Sequence, residues 1–286
     1  MFDNRSARNR MQDFVQIAVE PRPLACCKND RCKFSYRVHK HSHATKRLRF
    51  EVASVTSGRM NDIPFDAVGF DLDGTLLDTF RDLGTAVNHA LELGGFQQVS
   101  VETSKDLIGG GAKIMLARAV DAQGGMPDDD FPKLYKAMLR YYADHNAVHT
   151  RPYPGAIEAL DALEEAGIKT AVVTNKFEGF ARDILTQLGL IDRFVTVIGG
   201  DSLGKAADGT FVAKPAPDPV IAARNACDAE NFVFVGDSSY DVKAARAAGV
   251  PVVVAAYGYC DALAADLGGD AVIDSLSDLI FALKAL

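Results

Sequence analysis

The stretch Phe70-Asp71-Leu72-Asp73-Gly74-Thr75-Leu76-Leu77-Asp78-Thr79 constrains this chain more than any other. It continues Ala67-Val68-Gly69-Phe70, a short apolar run of the kind a buried strand uses. Side chains two apart on an extended backbone share a face, so Asp71 and Asp73 are expected to point the same way at the strand end. Gly74 lets the chain turn sharply, and the Thr75 hydroxyl can support that turn. Two carboxylates this close repel each other unless a cation lies between them or one takes a proton. Oxygen-only ligands of this kind suit magnesium. A bare Asp-x-Asp also closes ordinary Asx turns, so the pair gains its meaning from the longer string and from the polar motifs later in the chain.

After Thr79 the periodicity becomes helical. Leu83, Val87, Ala90 and Leu91 form one apolar stripe that ends at Leu93-Gly94. Ile108 through Val120 predicts a second helix, and Phe131 through Tyr142 a third, with Leu134, Tyr135, Met138, Leu139 and Tyr142 on one face. Strand signals stay weak until about residue 168, so residues 81–150 read as an all-helical module. Its entry and exit lie near Asp71, which would place it over that loop as a cap. Gly109-Gly110-Gly111-Ala112-Lys113 opens the second helix. Such a loop can bring backbone amides and a helix N-terminus to an anion, or it can be a plain hinge. Gly110, Gly111 and Lys113 are therefore candidates for reading a substrate in the cap. Lys113 and Arg118 fit a substrate carboxylate or a solvated helix face.

Beyond the helices, strand and helix alternate to the C-terminus. Lys169-Thr170-Ala171-Val172-Val173 is a strand ending in Thr174-Asn175-Lys176. Val195-Thr196-Val197-Ile198 is the next, followed by Gly199-Gly200-Asp201-Ser202, and Asp208-Gly209 marks a hairpin tip. Lys214-Pro215-Ala216-Pro217-Asp218-Pro219 opens a helix, and Asn231 through Val235 is a buried strand ending in Gly236-Asp237-Ser238-Ser239-Tyr240-Asp241. Ligands in open α/β sheets bind beyond the carboxyl ends of strands, where all these polar groups fall.

Asp71-Leu72-Asp73-Gly74-Thr75, Thr174-Asn175, Lys214-Pro215 and Gly236-Asp237-Ser238-Ser239-Tyr240-Asp241 resemble, in order, the four motifs of the haloacid dehalogenase-like hydrolases. The resemblance runs from about Phe65 to the C-terminus. It implies an α/β fold: a doubly wound, mostly parallel sheet (a Rossmann-like core) with an inserted all-helical cap domain. The core would be residues 61–80 and 151–286, and the cap 81–150. It further implies a magnesium-dependent phosphatase. Asp71 would be the nucleophile that forms an aspartyl phosphate, and Asp73 the acid and then the base. Thr174, Asn175 and Lys214 would hold the phosphoryl group. Asp71, the Asp73 carbonyl and Asp237 would hold the metal. Asp241 would serve as a ligand through water or as a partner for Lys214, and Lys176 would stand at the site entrance. Family members that cleave carbon–halogen or carbon–phosphorus bonds usually lack an acid at the place of Asp73, so its presence favours phosphate esters. Thr174-Asn175-Lys176, the Gly-Gly-Asp-Ser string at 199–202 and Tyr257-Gly258-Tyr259 look closest to bacterial phosphoglycolate phosphatases. The implied substrate is 2-phosphoglycolate. A phosphatase for another small ester, a sugar phosphomutase and a catalytically silent binding module are the competing readings.

The chain has 286 residues and a net charge of -7 that is unevenly spread. Residues 1–60 carry 13 basic and 5 acidic residues, against 18 and 33 in the remainder. Cys26, Cys27, Cys32, His39, His41 and His43 lie in the basic segment without the spacing of a common zinc finger. That segment reads as a disordered extension before a natural start at Met60, as an organellar leader, or as a small metal site. It lacks the apolar region of a secretory signal. Five cysteines without regular spacing indicate a reducing, cytoplasmic setting. No apolar run is long enough for a membrane span, and an acidic body argues against nucleic-acid partners. The expected partner is a small phosphate ester, with the oligomeric state open.

Overall fold

The computed structural model describes residues 63–100 and 111–286, all within one compact unit, Val55–Leu286. The basic N-terminal segment, Ile108 and Gly110 lie outside the described residues.

Three buried runs set the centre of the molecule. Strand β1 (Ala67–Phe70) pairs in parallel with β4 (Lys169–Val173) on one side and β6 (Phe232–Gly236) on the other. Flanking these are β5 (Thr196–Ile198), β7 (Val252–Ala255) and β8 (Ala271–Ile273), giving a six-stranded parallel sheet ordered β5-β4-β1-β6-β7-β8. Because side chains alternate along each strand, the sheet feeds two cores. Ala67, Ala171, Val173, Phe232, Phe234, Val252 and Val254 lie in one. Val68, Phe70, Val172, Val233, Val235 and Val253 lie in the other. The first is covered by α6 (Asp218–Ala226) and α7 (Ser239–Ala248). The second is covered by α4 (Ala156–Glu165), α5 (Glu178–Gln187) and α8 (Leu279–Ala285). Each fully buried valine or phenylalanine contributes about 1.5–3 kcal/mol.

The chain leaves β1 toward β4 and β5, then crosses back to β6 on the opposite side. That reversal opens a crevice at the carboxyl end of β1, where such sheets bind ligands. Three helices are inserted between β1 and β4: α1 (Phe80–Leu93), α2 (Ala112–Asp121) and α3 (Phe131–His145). α1 packs against α3 through Val87, Ala90 and Leu91 facing Leu134, Met138 and Tyr142. The chain enters and leaves this insert through a second, two-stranded sheet, β2 (Leu77–Asp78) with β3 (Arg151–Pro152). No pattern of period two announces strands this short. Beside them, the buried carboxylate of Asp82 accepts the backbone N–H groups of His149 and Thr150 and the Thr150 hydroxyl at 2.8–3.0 Å. The two connectors are therefore tied together. Among the described residues no helix is long and apolar enough to cross a membrane.

Candidate active site

The polar motifs at the ends of β1, β4 and β6 project into the crevice. Asp71 follows β1, and its Oδ1 lies 2.8 Å from the Lys214 ammonium. That oxygen is shut off from solvent and accepts no well-aligned hydrogen bond. Lys214 is itself buried and donates to the Val173 carbonyl at 2.8 Å and to Asp241 Oδ1 at 2.6 Å. Burial would release its proton, but the Asp241 and Asp71 carboxylates outweigh that and hold its pKa above the ordinary lysine value. Thr174 and Asn175 follow β4. The Thr174 hydroxyl accepts the Lys176 backbone N–H at 3.2 Å and keeps its own proton to donate. One Asn175 amide hydrogen fixes the Lys214 carbonyl at 3.0 Å, and the Asn175 Oδ1 is buried without a partner.

Asp237 and Asp241 follow β6. Asp241 is wholly buried, and its Oδ2 accepts the backbone N–H of Ser238 and the Ser238 hydroxyl, closing a capping box at the start of α7. Of the two roles expected for it, the structure displays partnership with Lys214. Asp237 accepts the Thr75 hydroxyl at 3.2 Å and the Tyr259 backbone N–H at 2.7 Å. Thr75 thus reaches across to β6 rather than bracing its own turn. Gly74 has φ +83°, and a Cβ on it would collide with the Asp237 carboxylate. Gly258 approaches from the other side just as closely. The acid therefore sits in a cradle shaped by absent side chains.

The electrostatics are unbalanced. Asp71, Asp237 and Asp241 bring oxygens within 4.8 Å of one another, and Lys214 is the ammonium among them in the described residues. Burial first, then the Asp241 and Asp73 charges, push the Asp71 carboxyl up to about 7 despite Lys214. Burial, then Asp241 and Asp71, raise Asp237 well above the carboxylate range. Three carboxyl groups share one ammonium in a buried, oxygen-only site, and without a cation burial and mutual repulsion favour protonation of Asp71 and Asp237. This donor set fits a hard divalent cation.

Asp73 faces the same cavity from the turn after β1. Its Oδ1 accepts the Thr79 hydroxyl at 2.6 Å and lies 3.1 Å from the Lys176 ammonium. Lys176 in turn donates to the Tyr142 hydroxyl of α3 at 2.8 Å, with its ammonium over the Tyr142 ring. Burial opposes its charge, but Asp73 and Tyr142 together raise its pKa above the usual lysine value. The cavity between insert and sheet measures about 100 Å³ and includes Asp71, Asp73, Thr174, Asn175, Lys214 and Asp237 in its walls. Leu83, Met115, Tyr135 and Leu139 of the insert and Phe180 of α5 add mostly apolar surface to its lining.

The expected cap contacts divide. Gly111, with φ +96° at the start of α2, lines the cavity, as does Ala112. Lys113 and Arg118 are exposed to solvent and form no part of its wall. Lys176 stands deeper than an entrance residue. Tyr142 and Tyr259 also reach the cavity, although the sequence presents them only as members of an apolar stripe and of a Tyr-Gly-Tyr turn. A lysine directly after the Thr-Asn pair is the one signal that could have located this network.

A family model described as haloacid dehalogenase-like hydrolase matches residues 68–255. The phosphoglycolate phosphatase of Agrobacterium fabrum is 37% identical over 217 residues, covering 75% of this chain and 90% of that protein. The phosphoglycolate phosphatase of Rhodospirillum rubrum is 40% identical over 220 residues, covering 74% and 88%. A crystal structure described as a predicted phosphoglycolate phosphatase from Haemophilus somnus superposes with a TM-score of 0.69 at 33% identity, over 76% of this chain and 97% of that one. The matched span carries Asp71, Asp73, Thr174, Asn175, Lys214, Asp237 and Asp241, and the chain belongs to the haloacid dehalogenase-like hydrolases.

Proposed function

We propose that this protein is a magnesium-dependent phosphatase that hydrolyses 2-phosphoglycolate to glycolate and phosphate. The observation that carries this reading is the convergence of Asp71, Lys214, Asp237 and Asp241 at the carboxyl end of β1, three buried carboxyl groups around one ammonium. In this proposal residues 61–80 and 151–286 are the catalytic core, and residues 81–150 are a cap that closes over it. The cavity of about 100 Å³ suits a small ester rather than a polymer. The phosphoglycolate phosphatases at 37% and 40% identity support the choice of ester.

The chemistry then follows from the side chains. Asp71 Oδ1, held by Lys214, attacks phosphorus, and the bond to the glycolate oxygen breaks. Asp73 gives its proton to that departing oxygen. It then takes a proton from the water that hydrolyses the aspartyl phosphate, restoring both carboxyl groups. The Thr174 hydroxyl, the remaining Asn175 amide hydrogen and the Lys214 ammonium stabilise charge on the phosphoryl oxygens. Asp71, Asp237 and the Asp73 backbone carbonyl would hold magnesium, which when bound neutralises the repulsion between carboxylate and phosphate.

The test is a hydrolysis screen over small phosphate esters with magnesium, with and without chelator, on the protein and on Asp71→Asn. We expect the highest kcat/KM on 2-phosphoglycolate, loss of turnover on chelation, and a fall of at least about 10³-fold in Asp71→Asn. Undiminished turnover in Asp71→Asn would overturn the assignment of the nucleophile. Equal rates on all esters would overturn the assignment of the substrate.

A further inference from the structure

We infer that Lys176 is the residue that reads the leaving group, binding the carboxylate of the substrate next to the acid that protonates its ester oxygen. The inference rests on the proposed hydrolysis of 2-phosphoglycolate and names the group that would select it.

Cations are scarce in the cavity. Lys176 and Lys214 are the two basic side chains among the described residues that line it. Lys113 is exposed and outside its walls. A lysine ammonium has three N–H donors. The Lys214 ammonium donates to Val173 O and Asp241 Oδ1 and lies 2.8 Å from Asp71 Oδ1, the atom proposed to attack phosphorus, so its place is at the phosphoryl group. Lys176 has two partners among the described residues, Tyr142 Oη at 2.8 Å and Asp73 Oδ1 at 3.1 Å. One N–H remains on an ammonium that borders the cavity.

Placement agrees with the count. If Asp73 protonates the leaving oxygen, that oxygen lies within hydrogen-bond reach of Asp73. In glycolate one methylene separates it from the carboxylate, so the nearer carboxylate oxygen lies roughly 2.6–3.1 Å from it. An ammonium 3.1 Å from Asp73 occupies that neighbourhood. The Lys176 side chain is buried, and Met115 and Leu139 line the same cavity, which limits solvent screening of the pair. The ammonium is also fixed from both sides of the cleft, by Asp73 in the sheet layer and by Tyr142 on α3. A bound carboxylate would therefore meet a donor already oriented, with little side-chain freedom left to lose.

The experiment compares 2-phosphoglycolate with ethyl phosphate, which carries a methyl group where the former has its carboxylate. Calorimetric titration with magnesium present uses Asp71→Asn, so that binding is read without turnover. Kinetics use the protein with Asp71 intact. With Lys176 present, both readouts should favour 2-phosphoglycolate at least tenfold, the effect expected of one charge-assisted hydrogen bond. Lys176→Met should bring both ratios below about threefold, and Lys176→Arg should restore part of them. A preference that survives Lys176→Met in a variant with unchanged circular dichroism overturns this inference and leaves the proposed substrate standing. If Lys176→Met does not fold, Lys176→Arg and Lys176→Gln decide it, since charge rather than bulk must govern the ratio. No preference with Lys176 intact overturns the proposed substrate itself, and this inference with it.

Discussion

Asp71 is pulled in two directions. Burial and two neighbouring carboxylates favour its neutral form, and Lys214 favours its charged form. The first side wins in the metal-free protein, raising it from the ordinary 3.8 to about 7. Between those values the folded chain holds more proton at this site than the unfolded chain does, so its contribution to stability declines as pH rises through that window. Magnesium bound to the charged form should reverse the trend. We therefore expect magnesium to raise the thermal midpoint more at pH 7.5 than at pH 5, measured by calorimetry with and without chelator. A magnesium effect that is equal at both pH values would contradict the charge balance described for this cluster. Tyr259 offers a second residue-level case. Its hydroxyl accepts the Thr79 and Phe80 backbone N–H groups at 2.7 and 3.0 Å and donates to Asp78 at 2.9 Å. Tyr259→Phe removes the shared partner of all three and should cost about 1–3 kcal/mol in chemical unfolding.

Most elements of the sheet could be read from the chain because their signals are local. The runs ending at Phe70, Val173 and Val235 are mostly apolar, with Lys169 and Thr170 opening the second, as strands covered on both faces tend to be, and a polar motif comes after each. The Asp208-Gly209 tip was equally plain, and Lys205 does pair with Phe211 across it. Helix bounds moved by a few residues. The apolar stripe of α1 starts at Leu83, yet the helix begins at Phe80, where Tyr259 receives its first N–H groups. β2 and β3 were not legible, since two residues carry no period and their pairing joins positions more than seventy residues apart. Asp82 reads in the sequence as an acid in the first turn of a helix, with nothing to mark its hold on His149 and Thr150. Asp82→Ala would leave buried donors at 149–150 unpaired and should destabilise the protein by about 1–3 kcal/mol, with KM rising more than kcat falls. Denaturant unfolding and steady-state kinetics would check both parts. The Lys176 network escaped for a similar reason: Tyr142, Lys176 and Asp73 come from three separate elements, and only the folded chain brings them together.

At the scale of the molecule, the described residues tie insert to sheet at separate polar points. Lys176 reaches Tyr142, and Asn146 at the end of α3 meets Asp183 and Gln187 of α5 at 2.8 and 3.0 Å. Magnesium with inorganic phosphate should strengthen that seam. Amide hydrogen exchange should slow over α3 and residues 174–178, while the already protected β1, β4 and β6 stay unchanged; uniform slowing across the chain would argue against a closing cap. The ribbon of β2 and β3 has a consequence for engineering. Both crossings between insert and sheet run through one short, register-locked doorway at Asp78 and Arg151. A foreign helical cassette spliced between those two positions should leave the six-stranded sheet and its Asp71, Lys214, Asp237 and Asp241 cluster in place, and it must resupply the hydroxyls of Thr79 and Tyr142 that hold Asp73 and Lys176.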